Sequence, residues 1–416
     1  MTAVTRAQQK AQPRRAHSGP DYVLALAVAG LVTIGLMMVY SATFDWSYQE
    51  YQNSFHIASR QFLWVGLGLV VLVVVAAIPY DWWQRMAVPV MGGALLLLVL
   101  VLFVGEEHFG SRRAFFNGSI QPSELAKLAT VIYIAAWLAS KGEQIRDVTY
   151  GLVPFAVLIG VVASLIVMQP DVSTAVLIVL TALAMFFFAG ADIFQLAMGG
   201  IAGGITFFVL INQLPHARKR LDEYLLVWRD PTCVGYHMRQ VLIALGSGGL
   251  FGVGLGQGQQ KLGYLPALHT DSIFAVLGEE TGFVGCLMVI GLFVLLAYRG
   301  FKIALRASDA FAALLACGVT CWLTFQALIN VAVMTGLIPF TGIALPFISA
   351  GGSAMVVSLA GVGLLLSISR GRRIGKRTEK RTGKESRQRA NLDRRWGNRG
   401  TRLSQPGRRT GTGRRR

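Results

Sequence analysis

The chain has 416 residues, 54% of them hydrophobic and 14% charged, which is too apolar and too poor in charge for a soluble domain of this length. Its net charge of +18 is concentrated at one end: residues 370–416 hold 19 of the 39 Lys and Arg against three acids, so this segment contributes +16 and the rest +2. That distribution excludes a basic nucleic-acid-binding body, and residues 371–416 are expected to form a disordered cytoplasmic tail drawn to anionic headgroups rather than to nucleic acid.

Residues 1–20 read as a polar cytoplasmic leader, and the apolar run 22–42 behind it is long and lacks a small-residue cleavage site, so it is a span and not a cleaved signal. Further apolar runs of about 20 residues lie at 60–79, 84–104, 123–140, 150–168, 172–190, 193–212, 272–298, 310–334 and 353–370. The expectation is an all-α polytopic membrane domain over 21–370 with ten transmembrane helices. Arg6, Lys10, Arg14 and Arg15 before the first run, Lys141 and Arg146 after the fourth, Arg299, Lys302 and Arg306 after the eighth, and the basic tail all fall on one side. Both termini are then cytoplasmic. The loops 43–59, 105–122, 169–171, 213–271 and 335–352 lie outside, and the large extracytoplasmic loop 213–271 is far longer than a connection needs, so it should carry structure of its own.

Polar residues cluster beside these runs. Arg112 and Arg113 in "SRRAFFNGSIQPSELAKL" suit phosphate groups of a lipid or lipid-linked substrate. In the same stretch Ser123 is placed to cap the fourth helix, and Glu124 and Lys127 share one of its faces at i,i+3, expected to look into a cavity. Asp171 stands between the fifth and sixth helices, and Arg220 in "HARKRLDEY" adds a cation to the long loop. The glycine-dense stretch 245–258, "LGSGGLFGVGLGQG", follows no βαβ strand and lacks GK[ST], so it reads as a re-entrant or surface-hugging segment and not as a nucleotide loop.

Asp271 lies where the long loop meets the eighth helix. It is placed either to cap that helix or, with Lys261 and His269 close in sequence, to act as a general base. Glu279 and Glu280 stand about 12–13 Å deeper at 1.5 Å per residue, where an ionised carboxylate needs a partner. They either pair with other groups to shape the cavity or meet substrate, and, pointing about 100° apart, have different partners. Gln326 and Asn330 form a polar i,i+4 stripe for hydrogen bonding between helices. Gly351, Gly352 and Ser353 open the tenth helix as a tight turn and cap or as an anion site. Four cysteines, Cys233, Cys286, Cys317 and Cys321, have neither disulfide density nor zinc spacing. No metal cluster and no cofactor motif is identifiable. The residues alone leave two classes: an enzyme acting on a lipid-borne anionic substrate, or a transporter of one.

The runs "IQPSELAKL" (120–128), "QPDVSTA" (169–175), "LIALGSGGLFGVGLG" with "QKLGYLPALHTDSIFAVLGEETGFVG" (260–285), and "GLIPFTGIALPFISAGGS" (336–353) occur in the order of the SEDS family of bacterial peptidoglycan polymerases. The chain resembles that family over about 20–370, and "QKLGYLP" and "GEETG" are more similar to its cell-division branch and a sporulation relative than to its elongation branch. The resemblance implies a ten-helix inverting enzyme polymerising lipid II at the outer face of the cytoplasmic membrane, at the division septum. It would transfer glycan from undecaprenyl pyrophosphate to an acceptor hydroxyl. Asp271 matches the family's essential aspartate, in the role of general base. Glu124 and Lys127 match its charged fourth-helix motif, and Lys261, His269 and Thr270 flank the aspartate. A class B penicillin-binding transpeptidase and other divisome proteins are the implied partners, and a divalent cation on the pyrophosphate is the one cofactor the chemistry invites. A lipid II flippase or a divisome scaffold is the alternative. Ala114 and Ala350 depart from the family's usual Trp and Tyr.

Overall fold

The computed structural model describes residues 19–108, 111–115, 119–229, 235–261, 264–266 and 269–371, and of residues 106–108, 111–113, 143, 216 and 227–229 the backbone alone. The leader (1–18), Cys233, the tail (372–416) and the side chains of Arg112 and Arg113, for which the sequence sets expectations, lie outside the described residues.

An apolar helix lies on each expected run: α1 (Tyr22–Tyr51), α2 (His56–Ala77), α3 (Tyr80–Val104), α4 (Pro122–Lys141), α5 (Val153–Val167), α6 (Val172–Phe188) and α7 (Ile193–Gln213). After two helices in the long loop, α8 (Pro215–Arg229) and α9 (Tyr236–Ser247), come α10 (Ile273–Leu305), α11 (Ala310–Met334) and α12 (Gly352–Ser369). Among the described residues nine helices are long and apolar enough to cross a membrane, counting α5 with the π-turn before it, and α6 is a shorter apolar helix. The protein is a polytopic helical membrane protein.

The boundaries differ from the sequence expectation where no breaker stops a helix. Residues 43–51, "TFDWSYQEY", contain neither Gly nor Pro, so α1 continues until Gln52 takes a left-handed conformation (φ 53°), and the expected loop 43–59 shrinks to four residues. The segment 105–122 folds into an antiparallel hairpin of β1 (Glu106–His108) and β2 (Ser111–Ala114). Ser123 does not cap α4. Gln121 takes the N-cap position, Pro122 the first turn, and the Ser123 hydroxyl instead reaches Asp171 Oδ2 at 3.5 Å.

α4, α11 and α12 are the most enclosed helices, and α7 is almost wholly exposed, which an apolar helix tolerates against lipid. Enclosed helices need room, and Trp322, a fully buried side chain, packs against Gly361 of α12.

The feature that positions the site is a break in α10. Gly282 leaves the helical region (φ 68°, ψ −167°), which strands carbonyls and amides at membrane depth, where no water replaces the lost bonds. The glycine-dense segment after α9 supplies all four partners. Val253 N and Gly254 N donate to Glu279 O and Glu280 O at 3.0 and 3.1 Å, while Phe283 N and Val284 N donate to Gly249 O and Leu250 O at 2.9 and 3.1 Å. Backbone can approach backbone this closely only without side chains: Gly252 (φ 79°) would drive a Cβ into Glu280 O. Gly256 (φ 77°) has the same left-handed backbone but open space beside it.

Gly252→Ala is therefore expected to destabilise the detergent-solubilised protein by about 3 kcal/mol, against about 1 kcal/mol for Gly256→Ala, read as the difference between their thermal unfolding midpoints.

Candidate functional site

The starts of α4, α6, α10 and α12 and the end of α11 meet at one end of the bundle, where Asp171, the N-cap of α6, accepts from Gln121 Nε2 at 3.2 Å. Asp271 lies in the turn that precedes α10. It is not the helix cap: Ser272 occupies that position and makes no capping bond. Three bonds to backbone carbonyls hold the turn. Asn330 Nδ2, on α11, donates to Asp271 O at 3.0 Å and to Ile343 O at 2.7 Å. Ser349 Oγ donates to Thr270 O at 2.6 Å, and Ala350 N donates to His269 O at 2.8 Å. The half-buried Asp271 side chain faces Gly342, whose Cα would place a Cβ 3.2 Å from Oδ2 and whose φ of 67° requires glycine.

His269 stacks on Trp46 of α1, ring centroids 5.1 Å apart and 23° from parallel. Burial holds its ring below the ordinary histidine range, favouring the neutral imidazole.

Lys261, expected beside Asp271, is turned inward. It is buried, 3.2 Å from Glu280 Oε1, and donates to Gly256 O at 2.6 Å and to Ser41 Oγ at 3.4 Å. Ser41, on α1, completes the cluster by donating to both Glu280 oxygens at 2.6 and 2.7 Å. Glu279 points elsewhere, accepting from Gln259 N at 2.7 Å and Gln260 N at 3.3 Å. The two glutamates thus tie the descending loop to α10 and α1 just above the helix break.

Deeper in the bundle Lys127 bonds Glu124 at 2.9 Å and Gln326 Oε1 at 3.0 Å. Gln326 also accepts from Trp322 Nε1 at 3.0 Å and donates to Ala344 O at 2.9 Å. Beside Lys127 is a cavity with room for about one water molecule. Gln326 and Asn330 do form a stripe, but each spends its amide donor on the loop 335–351, and Gln326 alone bridges to another helix, through Lys127. At the start of α12 the Ser353 N–H is taken by Ser119 O at 3.3 Å and its hydroxyl accepts from Gln121 N at 3.2 Å, so that amide is not available to an anion. Arg220, on α8, lies over the Phe340 ring at 5.5 Å. Among the described residues no group of three His, Cys, Asp or Glu converges as a metal cage would.

Gly342, Ser349, Ser41, Trp46 and His237 escaped the sequence reading. Only Gly342, inside the turn-like "PFTGIALP", left a local signal.

A family model described as cell cycle protein, that of FtsW, RodA and SpoVE, matches residues 22–374. Stage V sporulation protein E of Bacillus subtilis is 41% identical over 357 residues, 85% of this chain and 98% of that protein. A probable peptidoglycan glycosyltransferase FtsW of Geobacter sulfurreducens is 39% identical, covering 84% of this chain and 95% of that one. Among solved structures, a chain from a peptidoglycan synthase complex studied for the coordination of polymerization and crosslinking matches with a TM-score of 0.70 at 30% identity, covering 85% of this chain and 99% of that one. The rod shape determining protein RodA of Thermus thermophilus matches with a TM-score of 0.63 at 31% identity, covering 85% and 97%.

The buried Lys261–Glu280 pair makes its own stability statement. Lys261→Met strands a buried carboxylate and is expected to cost about 3–5 kcal/mol, while Lys261→Met combined with Glu280→Gln recovers most of the loss, as read from thermal unfolding in detergent.

Proposed function

Because this chain belongs to the FtsW, RodA and SpoVE family, the SEDS proteins, we propose that it is a peptidoglycan glycosyltransferase polymerising lipid II, with Asp271 as general base. The observation that carries the assignment of the base is the turn 269–272, fixed through its backbone by Asn330, Ser349 and Ala350 while the carboxyl group lies against the glycine gap at Gly342. A base must be held in position against the hydroxyl it deprotonates.

In the reaction the acceptor sugar's 4-hydroxyl oxygen attacks the anomeric carbon of the lipid-linked glycan. Its proton passes to Asp271, the bond from the anomeric carbon to the pyrophosphate oxygen breaks, and undecaprenyl pyrophosphate leaves with inversion. Arg112, Arg113 and Arg220 are the cations assigned to the charge developing on the pyrophosphate. Thr270 and His269 shape the acceptor side, His269 as a neutral ring. Asp171 orders the neighbouring helix starts through Gln121. Lys261, Glu124 and Lys127, buried in internal pairs, support the site instead of meeting the pyrophosphate directly.

The membrane setting follows from the spans. The positive charge on one side supports a cytoplasmic location for both termini and an outer location for the Asp271 end. A class B penicillin-binding transpeptidase is the proposed partner, as suits a family with a member in a synthase complex, and septal wall synthesis is the proposed setting. A flippase would instead need a headgroup path past Lys127.

Asp271→Asn tests the reading, in purified full-length protein with its transpeptidase and lipid II in detergent, where sidedness is gone and flipping contributes nothing. Glycan chain formation is expected to fall by about 100-fold to 10,000-fold. Chains formed at the wild-type rate would remove Asp271 from the chemistry.

A further inference from the structure

The turn carrying Asp271 has a fourth attachment, from a residue that plays no part in the reaction just described. His237, on α9, places its Nε2 3.0 Å from the Ser272 hydroxyl, and Ser272 is wholly buried directly after Asp271. The direction of this bond follows from counting protons. A serine hydroxyl has one hydrogen, and in the arrangement that satisfies Pro266 O, 3.3 Å away, as well as the ring, the ring nitrogen is the donor. Burial and the Arg220 guanidinium both hold His237 below the ordinary histidine range, which favours a neutral ring, and in that arrangement its one proton is on Nε2.

The other three attachments come from α11 and the loop 335–351. His237 alone among them comes from the two helices of the long loop, α8 and α9. Its ring packs against Phe340 with centroids 4.2 Å apart, and Arg220 of α8 lies over the same Phe340. Tyr224 of α8 donates to Leu337 O at 2.7 Å and Tyr236 of α9 to Tyr264 O at 2.9 Å. The two helices thus brace both loops that enclose the turn, and the brace reaches the turn itself through one imidazole.

We infer that His237 is a positioning residue for Asp271: by donating from Nε2 to the Ser272 hydroxyl it fixes the end of the turn adjoining α10 and couples the aspartate to α8 and α9. This rests on the reading of Asp271 as the base. A donor is needed at that point, not a titratable ring, so glutamine, whose amide nitrogen reaches a similar distance, should substitute where leucine does not.

The test compares His237→Leu, His237→Gln, Asp271→Asn and wild type, each as full-length protein with its transpeptidase, on lipid II in detergent, with thermal unfolding recorded for each. His237→Leu is expected to lower kcat by about 10-fold to 100-fold with KM little changed, as a displaced catalytic group would. His237→Gln is expected to stay within about threefold of wild type, as retention of one hydrogen bond requires. A variant that unfolds near the assay temperature is judged through the other: folded and active His237→Gln supports the donor role. Folded His237→Gln as impaired as His237→Leu overturns it, as does His237→Leu with wild-type kcat. If Asp271→Asn retains wild-type activity the base reading itself fails, and positioning of that base falls with it. Loss in Asp271→Asn alone leaves the base in place and rejects only the role of His237.

Discussion

The carboxamide of Asn330 is where the two halves of the site meet. One Nδ2 donates to Asp271 O and to Ile343 O, so the turn leading into α10 and the loop between α11 and α12 are bound to each other through a single buried side chain. Neither segment has regular structure to hold it. Carbonyls that face a buried side chain must be satisfied by protein, which makes the Asn330 amide a structural necessity as well as a clamp. Ser349 and Ala350 close the same junction from the loop side.

That junction is useful only if α10 below it is steady, and α10 is broken at Gly282. The break is tolerated because the glycine-dense segment supplies four backbone partners across it, and because the buried cluster of Ser41, Lys261 and Glu280 ties the same segment to α1. A buried ion pair contributes little net stability against apolar replacements but is strongly directional. Here it joins three elements in one arrangement, a greater service than the pair's own energy. The clamp at Asn330 and the cluster at Glu280 thus hold the two ends of the helix segment that follows the Asp271 turn.

The apolar runs were legible because spans of this length are written in consecutive residues, and the polar residues within them were conspicuous against that background. The divergence of Glu279 and Glu280 followed from the 100° step of a helix, as the different partners show. Partners themselves were not legible. Asn330 reaches Asp271 across 59 residues of sequence and Ser41 reaches Glu280 across 239, and no periodicity encodes such a pairing. Lys261 read as a cation beside the aspartate because sequence distance does not encode its buried pairing with Glu280. Ser123 read as a cap because the pattern fits one, but Pro122 and Gln121 fill those positions and Asp171 competes for the hydroxyl. His237 is a lone histidine at a helix start, and nothing local distinguishes it from a surface residue.

The dependence of a proposed catalytic carboxylate on a backbone clamp is measurable in one variant. Asn330→Leu keeps the side-chain volume and removes both donors. Steady-state polymerisation of lipid II in detergent by the folded variant is expected to show kcat lowered by about 100-fold with KM nearly unchanged. A folded Asn330→Leu protein with wild-type kcat would contradict the view that holding the Asp271 turn is what the polar core of this end of the bundle is for.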